Sequence, residues 1–116
     1  MTRQTPTLSV RIDFPDGSRF GPGKAALLRA LIDNGSIKSA AAKLDMSYPR
    51  ALKLIDQMNA AFAEALVVAQ HGGATGGGAS VTLRGQDVLK LYDQLCLSSV
   101  GANQDALNQI GKFCSE

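Results

Sequence analysis

Tryptophan is absent from this 116-residue sequence and aromatic residues make up only 5% of it, so the hydrophobic core has to come from aliphatic side chains. Long apolar runs are also missing. The best run, Ala25 to Ile32, is interrupted by Arg29, whereas a membrane-spanning helix needs about 20 apolar residues. The amino-terminal region carries Arg3 and Arg11 and has no continuous apolar segment, unlike a secretory signal. We therefore expect no membrane span and a cytoplasmic location.

Side chains suited to catalysis or metal binding are scarce. Cys96 and Cys114 lie 18 residues apart without a C-x-x-C pattern, and His71 is the only histidine. A zinc site would need an unusual carboxylate in this set, so two free, mostly buried thiols are expected, with a redox pair as the alternative. The G-x-S-x-G, H-E-x-x-H and phosphate-binding glycine motifs are absent. We predict no enzyme activity, no metal and no cofactor.

Length and composition are those of a single globular domain, 1–116, with 45% apolar and 19% charged residues. The net charge of +2 is too small to require a nucleic-acid partner, but the charge is unevenly distributed. Residues 1–84 carry 10 Lys and Arg against 6 Asp and Glu, whereas residues 85–116 carry 2 against 4. An anionic partner would therefore bind the amino-terminal part.

The amino-terminal third predicts a hairpin followed by a helix. Apolar residues alternate with polar ones from Leu8 to Phe14, which is typical of a strand with one buried face. The segment 15–18, Pro-Asp-Gly-Ser, has the composition of a reverse turn. A helix should then start at Pro22 and end at Asn34-Gly35, where glycine suits a carboxyl-terminal cap.

Two further helices are predicted between Ser36 and Phe62. Ser36 can cap the second helix, and three alanines at 40–42 would let a neighbouring helix approach closely. Ser47 can cap the third helix, with Pro49 tolerated in its first turn. The apolar spacing 4, 3, 4 in that helix predicts a core-facing side formed by Ala51, Ile55, Met58 and Phe62.

A glycine-rich hairpin and carboxyl-terminal helices should complete the fold. Short β-prone runs at 66–69 and 80–82 flank the segment 71–79, which holds five of the twelve glycines. Thr82 can cap a fourth helix, which we expect to loosen between Ser98 and Gly101. A weaker helical pattern ends the chain. The order of elements predicts an α+β, mostly helical, winged helix-turn-helix with an amino-terminal β-hairpin and a carboxyl-terminal helical extension.

The predicted helix-turn-helix, about 36–62, also holds the densest positive charge. Between residues 36 and 55 there are four cations and one acid, Asp45. The third helix would project into a DNA major groove of similar width, and the starts of the second and third helices would face phosphates. The predicted wing covers about 65–82, and helices at about 83–114 would mediate dimerisation.

Two motifs resemble the amino-terminal domain of the ModE-type molybdate-responsive transcriptional regulators. One is the helix-turn-helix pattern that begins Gly35-Ser36-Ile37, opens its third helix with Ser47-Tyr48 and ends in Met58-Asn59. The other is the glycine cluster at 71–79 followed by Thr-x-x-Gly at 82–85. The resemblance covers roughly residues 7–95. Pro49 departs from the ModE pattern and is more similar to the LysR-type regulators, so base preference is expected to differ.

The resemblance implies a sequence-specific DNA-binding transcriptional regulator that acts as a homodimer, with repression as the family-based expectation. Full-length members carry molybdate-binding domains, which we do not expect in this chain, so molybdate is not expected to bind it directly. The alternative is a protein-interaction module that kept the fold without DNA binding. The DNA-binding candidates are Ser36, Lys38, Lys43, Ser47, Tyr48, Pro49, Arg50, Lys53, Gln57, His71 and Thr75.

These candidates carry different expectations. Arg50 and Lys53 are expected to contact bases or phosphates, the alternative being an ordinary solvated helix face. Lys38 and Lys43 are expected at phosphates. Tyr48 is either a DNA contact or half-buried packing against the second helix. The apolar residues of the fourth and fifth helices, including Leu91, Leu95, Val100, Leu107, Ile110 and Phe113, exceed what the core needs and predict a two-fold dimer surface.

Overall fold

The predicted α+β, mostly helical winged helix-turn-helix is confirmed by a computed structural model, which describes residues 6–70 and 78–115. Two short hairpins alternate with helices along the chain. The elements are β1 (Ile12–Asp13), β2 (Arg19–Phe20), α1 (Pro22–Asn34), α2 (Ile37–Lys43), α3 (Tyr48–Ala61), β3 (Val67–Gln70), β4 (Gly78–Val81), α4 (Leu83–Ala102) and α5 (Gln104–Lys112).

The amino-terminal hairpin is shorter than its alternating pattern predicts. Its turn forms as expected, with Gly17 at φ 92° and the Phe14 N–H donating to the Ser18 carbonyl at 2.8 Å. The strand predicted from Leu8 to Phe14 is reduced to two residues, however, with Ile12 opposite Phe20. The reason is that β2 ends where α1 begins, so the residues before Ile12 have no partner strand.

Helix boundaries follow the predicted capping residues. The hydroxyl oxygens of Ser36, Ser47 and Thr82 each accept a hydrogen bond from the backbone N–H three residues later. Gly35 ends α1 in the left-handed region, at φ 72°, and its N–H donates to the Leu31 carbonyl at 2.8 Å. Four of the helix ends are thus determined by local sequence.

The turn between α2 and α3 closes without a glycine. Asp45 takes φ 57°, while its N–H donates to the Ala42 carbonyl at 3.1 Å and the Met46 N–H donates to the Ala41 carbonyl at 2.9 Å. These two bonds form a Schellman motif, in which aspartate tolerates the left-handed conformation better than most side chains do. The motif sets the sharp turn that leads into α3.

The core is built around α1, which contacts α2, α3, α4, β2 and β4. Ala40 and Ala41 of α2 are fully buried, as expected for close helix packing. Among the described residues, no polar or charged side chain is buried. The largest fully buried side chains are Phe20, Leu27, Leu28, Leu31, Met58 and Leu66.

Helix α4 is longer than predicted and runs without interruption. The expected loosening between Ser98 and Gly101 is wrong, because the helix continues to Ala102. Its end is formed instead at Asn103, whose side-chain amide donates to the Ser99 carbonyl at 2.6 Å. Small residues lower helix propensity but leave every backbone hydrogen bond available, so they do not by themselves end a helix.

The Thr-x-x-Gly motif joins the second hairpin to α4. The Thr82 hydroxyl donates to the Ala65 carbonyl at 2.7 Å and accepts from the Gly85 N–H at 3.0 Å. Gly85 lies so close to the preceding loop that an added Cβ would be 2.5 Å from the Leu66 carbonyl oxygen and 2.6 Å from a methyl of Val81. The glycine is required here for close approach.

Gly85→Ala should therefore destabilise the domain by about 1–3 kcal/mol, because the new methyl group meets backbone that cannot move freely. The free energy of unfolding by urea, followed by circular dichroism, measures the effect. Gly101→Ala is the matched control, since it lies in the same helix with nothing within 4 Å of the added Cβ. It should be neutral or stabilising. Equal stability of the two variants would contradict the close-approach argument.

Candidate nucleic-acid interface

One side of α3 is an exposed polar stripe, which we call the α3 stripe: Arg50, Lys53 and Gln57. Their spacing of three and four residues puts them on one face of the helix. The opposite face is held in the core by Ala51, Ile55 and Met58, as predicted. The buried face therefore forces the α3 stripe toward solvent.

The four predicted cations of the helix-turn-helix are uncompensated. Lys38 and Lys43 on α2, like Arg50 and Lys53 on α3, are exposed. Within residues 6–70 and 78–115, no carboxylate forms an ion pair with any of the four. The acids that are paired sit elsewhere in the fold, for example Asp93 with Arg29 at 3.0 Å. This surface is positively charged and open.

The remaining predicted site residues fall into three groups. Ser47 is exposed and Ser36 is half-buried, and each hydroxyl oxygen is engaged as a helix cap. Tyr48 is 49% exposed, so its ring is available at the start of α3, next to the exposed Pro49. His71 and Thr75 lie outside the described residues.

The wing is fastened to α3 by a residue whose role sequence reasoning missed. The Asn59 side-chain oxygen accepts from the N–H groups of Leu66 and Val67, at 2.8 and 3.1 Å. Its amide nitrogen donates to the Val67 carbonyl at 3.0 Å. Asn59 thus satisfies the free backbone edge of β3 as a neighbouring strand would. The Met58-Asn59 pair in the family pattern was the available signal, but it does not reveal the partner.

The other edge of the wing reaches the start of α2. The Ala79 N–H donates to the Gly35 carbonyl at 3.0 Å, and Ser36 forms an isolated β-bridge with Gly78. The segment that caps α2 therefore acts as a third, minimal strand beside β4. Through these contacts the wing, the start of α2 and the end of α3 form one connected surface.

The amino-terminal hairpin lies against α3 as well. The rings of Phe14 and Phe62 meet edge to face, with centroids 5.4 Å apart. A surface furrow, lined by Asp16, Gly17, Ser18, Arg19, Lys24 and Gln57, runs beside the α3 stripe. Sequence reasoning missed the placement of Arg19 and Lys24. The alternation that predicts a buried Phe14 does not say which helix covers it.

No metal or membrane feature emerges from the described residues. They contain no group of three or more His, Cys, Asp or Glu side chains arranged to hold a metal ion. None of their helices is long and apolar enough to cross a bilayer. Cys96 and Cys114 are free thiols, but the expectation that such thiols are mostly buried is wrong, since Cys96 is half-buried and Cys114 is exposed.

The chain is similar in sequence to molybdenum-related bacterial proteins. It is 38% identical to the molybdenum-pterin-binding protein MopB of Rhodobacter capsulatus over 66% of this chain and 28% of that protein. With the DNA-binding transcriptional dual regulator ModE of Escherichia coli it shares 38% identity over 64% of this chain and 28% of the regulator. The predicted resemblance to ModE-type regulators is confirmed. No protein-family model matches the chain.

A third relative extends the match along the chain. The molybdenum transport protein ModE of Azotobacter vinelandii is 32% identical over 90% of this chain and 37% of its own length. The chain thus spans between about a quarter and two fifths of the curated relatives it matches.

Solved structures give the same fold. The DNA-binding domain of CbnR, crystallised with DNA, superposes with a TM-score of 0.58 at 19% identity, over 76% of this chain and 94% of that domain. ArgP from Mycobacterium tuberculosis gives 0.54 at 22% identity, over 73% of this chain and 30% of ArgP. The fold of the described residues is therefore a winged helix-turn-helix similar to that of these two structures.

Asn59→Ala should destabilise the domain by about 1–3 kcal/mol, because the half-buried N–H groups of Leu66 and Val67 would lose their acceptor. Urea unfolding gives the change directly. Gln57→Ala on the same helix is the matched control and should stay within about 0.5 kcal/mol of the parent, since Gln57 is exposed. If the two variants unfold at the same urea concentration, Asn59 does not hold the wing.

Proposed function

We propose that this chain is a sequence-specific DNA-binding transcription regulator, acting in the bacterial cytoplasm and without enzyme activity. The observation that carries the proposal is the α3 stripe with its uncompensated cations, on a helix flanked by α2 and the wing. An exposed helix about 10–12 Å in diameter fits the major groove, which is about 12 Å wide. The resemblance to regulators named ModE supports the same assignment.

Each predicted residue has a place in this proposal. Arg50 and Lys53 contact base edges or adjacent phosphates from the start of α3, and Gln57 follows them along the groove. Lys38 and Lys43 neutralise phosphates from α2. Around them, Ser36, Ser47, Tyr48, Pro49, His71 and Thr75 complete the proposed interface. The helix-turn-helix is assigned to about 36–62, the wing to about 65–82 and dimerisation to about 83–114.

We also propose that these 116 residues do not bind molybdate and that the regulator represses. A tight oxyanion site needs several donors converging in a partly enclosed pocket. Among the described residues no polar side chain is buried, and the four cations of the helix-turn-helix are spread over open surface. A molybdenum response would then reach this domain from another part of the assembly.

The DNA-binding proposal predicts salt-dependent affinity. The chain should retain duplexes from a random pool, and log K should fall linearly with log salt by about 0.9 for each phosphate contact. Mobility shifts at several salt concentrations measure this slope. Arg50→Ala should lose roughly 1–3 kcal/mol on a selected duplex and relax its base preference.

Two control variants separate base contacts from general electrostatics. Lys38→Ala should weaken all duplexes about equally. Lys90→Ala on α4 should leave binding unchanged, provided that sedimentation shows the same oligomeric state as the parent. A folded parent that retains no duplex at low salt would refute the proposed function and favour a protein-interaction module. Unchanged specificity in Arg50→Ala would refute the assignment of the α3 stripe.

We further propose a homodimer formed by α4 and α5. The described part of these helices leaves large apolar side chains in solvent: Leu91, Leu95, Leu97, Ile110 and Phe113 are 47–86% exposed. The buried side of α4 is instead formed by Gly85, Leu89 and Tyr92. Exposed apolar surface of this extent is typical of protein interfaces. A domain of this size contacts about one half-site, so a two-fold dimer suits a palindromic operator.

Sedimentation equilibrium should therefore give twice the 12.2 kDa chain mass at micromolar concentration. The double variant Leu91→Lys, Leu95→Lys should shift the protein toward monomer, because buried lysines would repel across the two-fold axis. Leu83→Lys is the control: it is 78% exposed but lies at the start of α4, away from that pair. A monomeric parent would exclude this dimer.

A further inference from the structure

The furrow between the β1–β2 turn and α3 has no role in the function proposed so far. Its volume is about 500 Å³, and Gln57 of the α3 stripe forms one wall. The opposite wall is the turn itself, followed by Arg19 and Lys24. The hairpin cannot swing away easily, because Phe20 is buried in the core and Phe14 packs on Phe62.

The charge in this furrow lacks a partner. In the described ranges, no carboxylate forms an ion pair with Arg19 or Lys24. The Lys24 ammonium donates to the Arg19 carbonyl oxygen at 2.6 Å, so Lys24 is held beside the backbone of Arg19, and both residues line the furrow. Burial and the nearby Arg19 charge lower the pKa of Lys24. Lys24 also lies in the first turn of α1, where no side chain caps the helix and no acid is present.

One acid does line the furrow, and it is already engaged. The Asp16 carboxylate accepts from the Ser18 N–H at 2.9 Å and from the Ser18 hydroxyl at 2.6 Å. These bonds lower the pKa of Asp16. The furrow keeps an excess of one positive charge, and Asp16 should oppose an anion there.

The position of the furrow identifies the anion. Gln57 follows Arg50 by seven residues, which is about 10 Å along a helix axis. If Arg50 lies within the major groove, whose width is about 12 Å, a group beside Gln57 reaches the groove edge, where the phosphates run. We propose that the β1–β2 hairpin is a second DNA contact, in which Arg19 and Lys24 hold one backbone phosphate beside α3. This inference rests on the proposed DNA-binding function.

Mobility shifts with a duplex selected by the parent test the inference. Arg19→Ala and Lys24→Ala should each weaken binding at least roughly threefold, without changing base preference, and the double variant should lower the salt slope by about 0.9. Asp16→Asn should have the opposite effect and tighten binding, because it removes the opposing charge while retaining an acceptor for Ser18. Lys90→Ala, which removes a cation from α4, is the matched control once sedimentation shows that it dimerises as the parent does, because α4 belongs to the proposed dimer region.

The outcomes separate the two proposals. In one outcome the parent and Lys90→Ala bind DNA and Arg50→Ala binds more weakly. If the hairpin variants then bind as tightly as Lys90→Ala with an unchanged salt slope, the hairpin contact is refuted and the proposed function stands. If the parent binds no duplex, both proposals fail. Thermal melts establish that each variant folds. If Arg19→Ala unfolds, Arg19→Gln replaces it. A weakened Arg19→Gln together with a tightened Asp16→Asn would support the contact, whereas equal affinities would overturn it.

Discussion

The rest of the site depends on the hydrogen bonds that the backbone N–H and carbonyl groups of Leu66 form. The Leu66 side chain is fully buried, its N–H donates to Asn59, and its carbonyl oxygen accepts from both the N–H and the hydroxyl of Thr82. Gly85 packs so closely on the same carbonyl that no side chain fits there. One residue thus joins the end of α3, the base of the wing and the start of α4. Because these bonds are partly buried, breaking any of them leaves a polar group unsatisfied.

This junction explains how α2, α3 and the described strands of the wing can form one surface without ion pairs between them. The wing is held on one side by Asn59 and on the other by the bridge between Ser36 and Gly78. The start of α2 and the end of α3 are therefore fixed relative to each other without any ion pair between them. A rigid arrangement loses little conformational entropy on binding, so in the proposed complex with DNA each phosphate contact would contribute more to affinity than it would from a mobile segment.

Local signals were readable from the sequence, whereas tertiary placement was not. Ser36, Ser47 and Thr82 each cap a helix because the capping bond forms within three residues of chain, and such a bond needs no distant partner. The hairpin was predicted too long because strand pairing depends on a second strand, which ends at Phe20. The left-handed turn at Asp45 could not be predicted, because no glycine marks the position. The placement of Arg19 beside the α3 stripe depends on the packing of Phe14 on Phe62, which is a contact between residues distant in sequence. The expected loosening of α4 failed because weak helix propensity is overridden when the next cap lies further on.

In the proposed dimer, the same junction would connect the DNA-contacting helix to the dimer interface. Since α4 begins at Thr82, the bonds that fix the wing also fix the direction of α4 relative to α3. In a dimer formed along α4 and α5, the distance between the two α3 helices would be set by this angle and not by a flexible linker. Half-sites in such operators are about 34–36 Å apart, one turn of DNA, and a rigid junction is needed to match that spacing. Mobility at Leu66 would therefore lower the affinity for DNA in two ways: it would weaken the contact with each half-site, and it would leave the distance between the two α3 helices undefined.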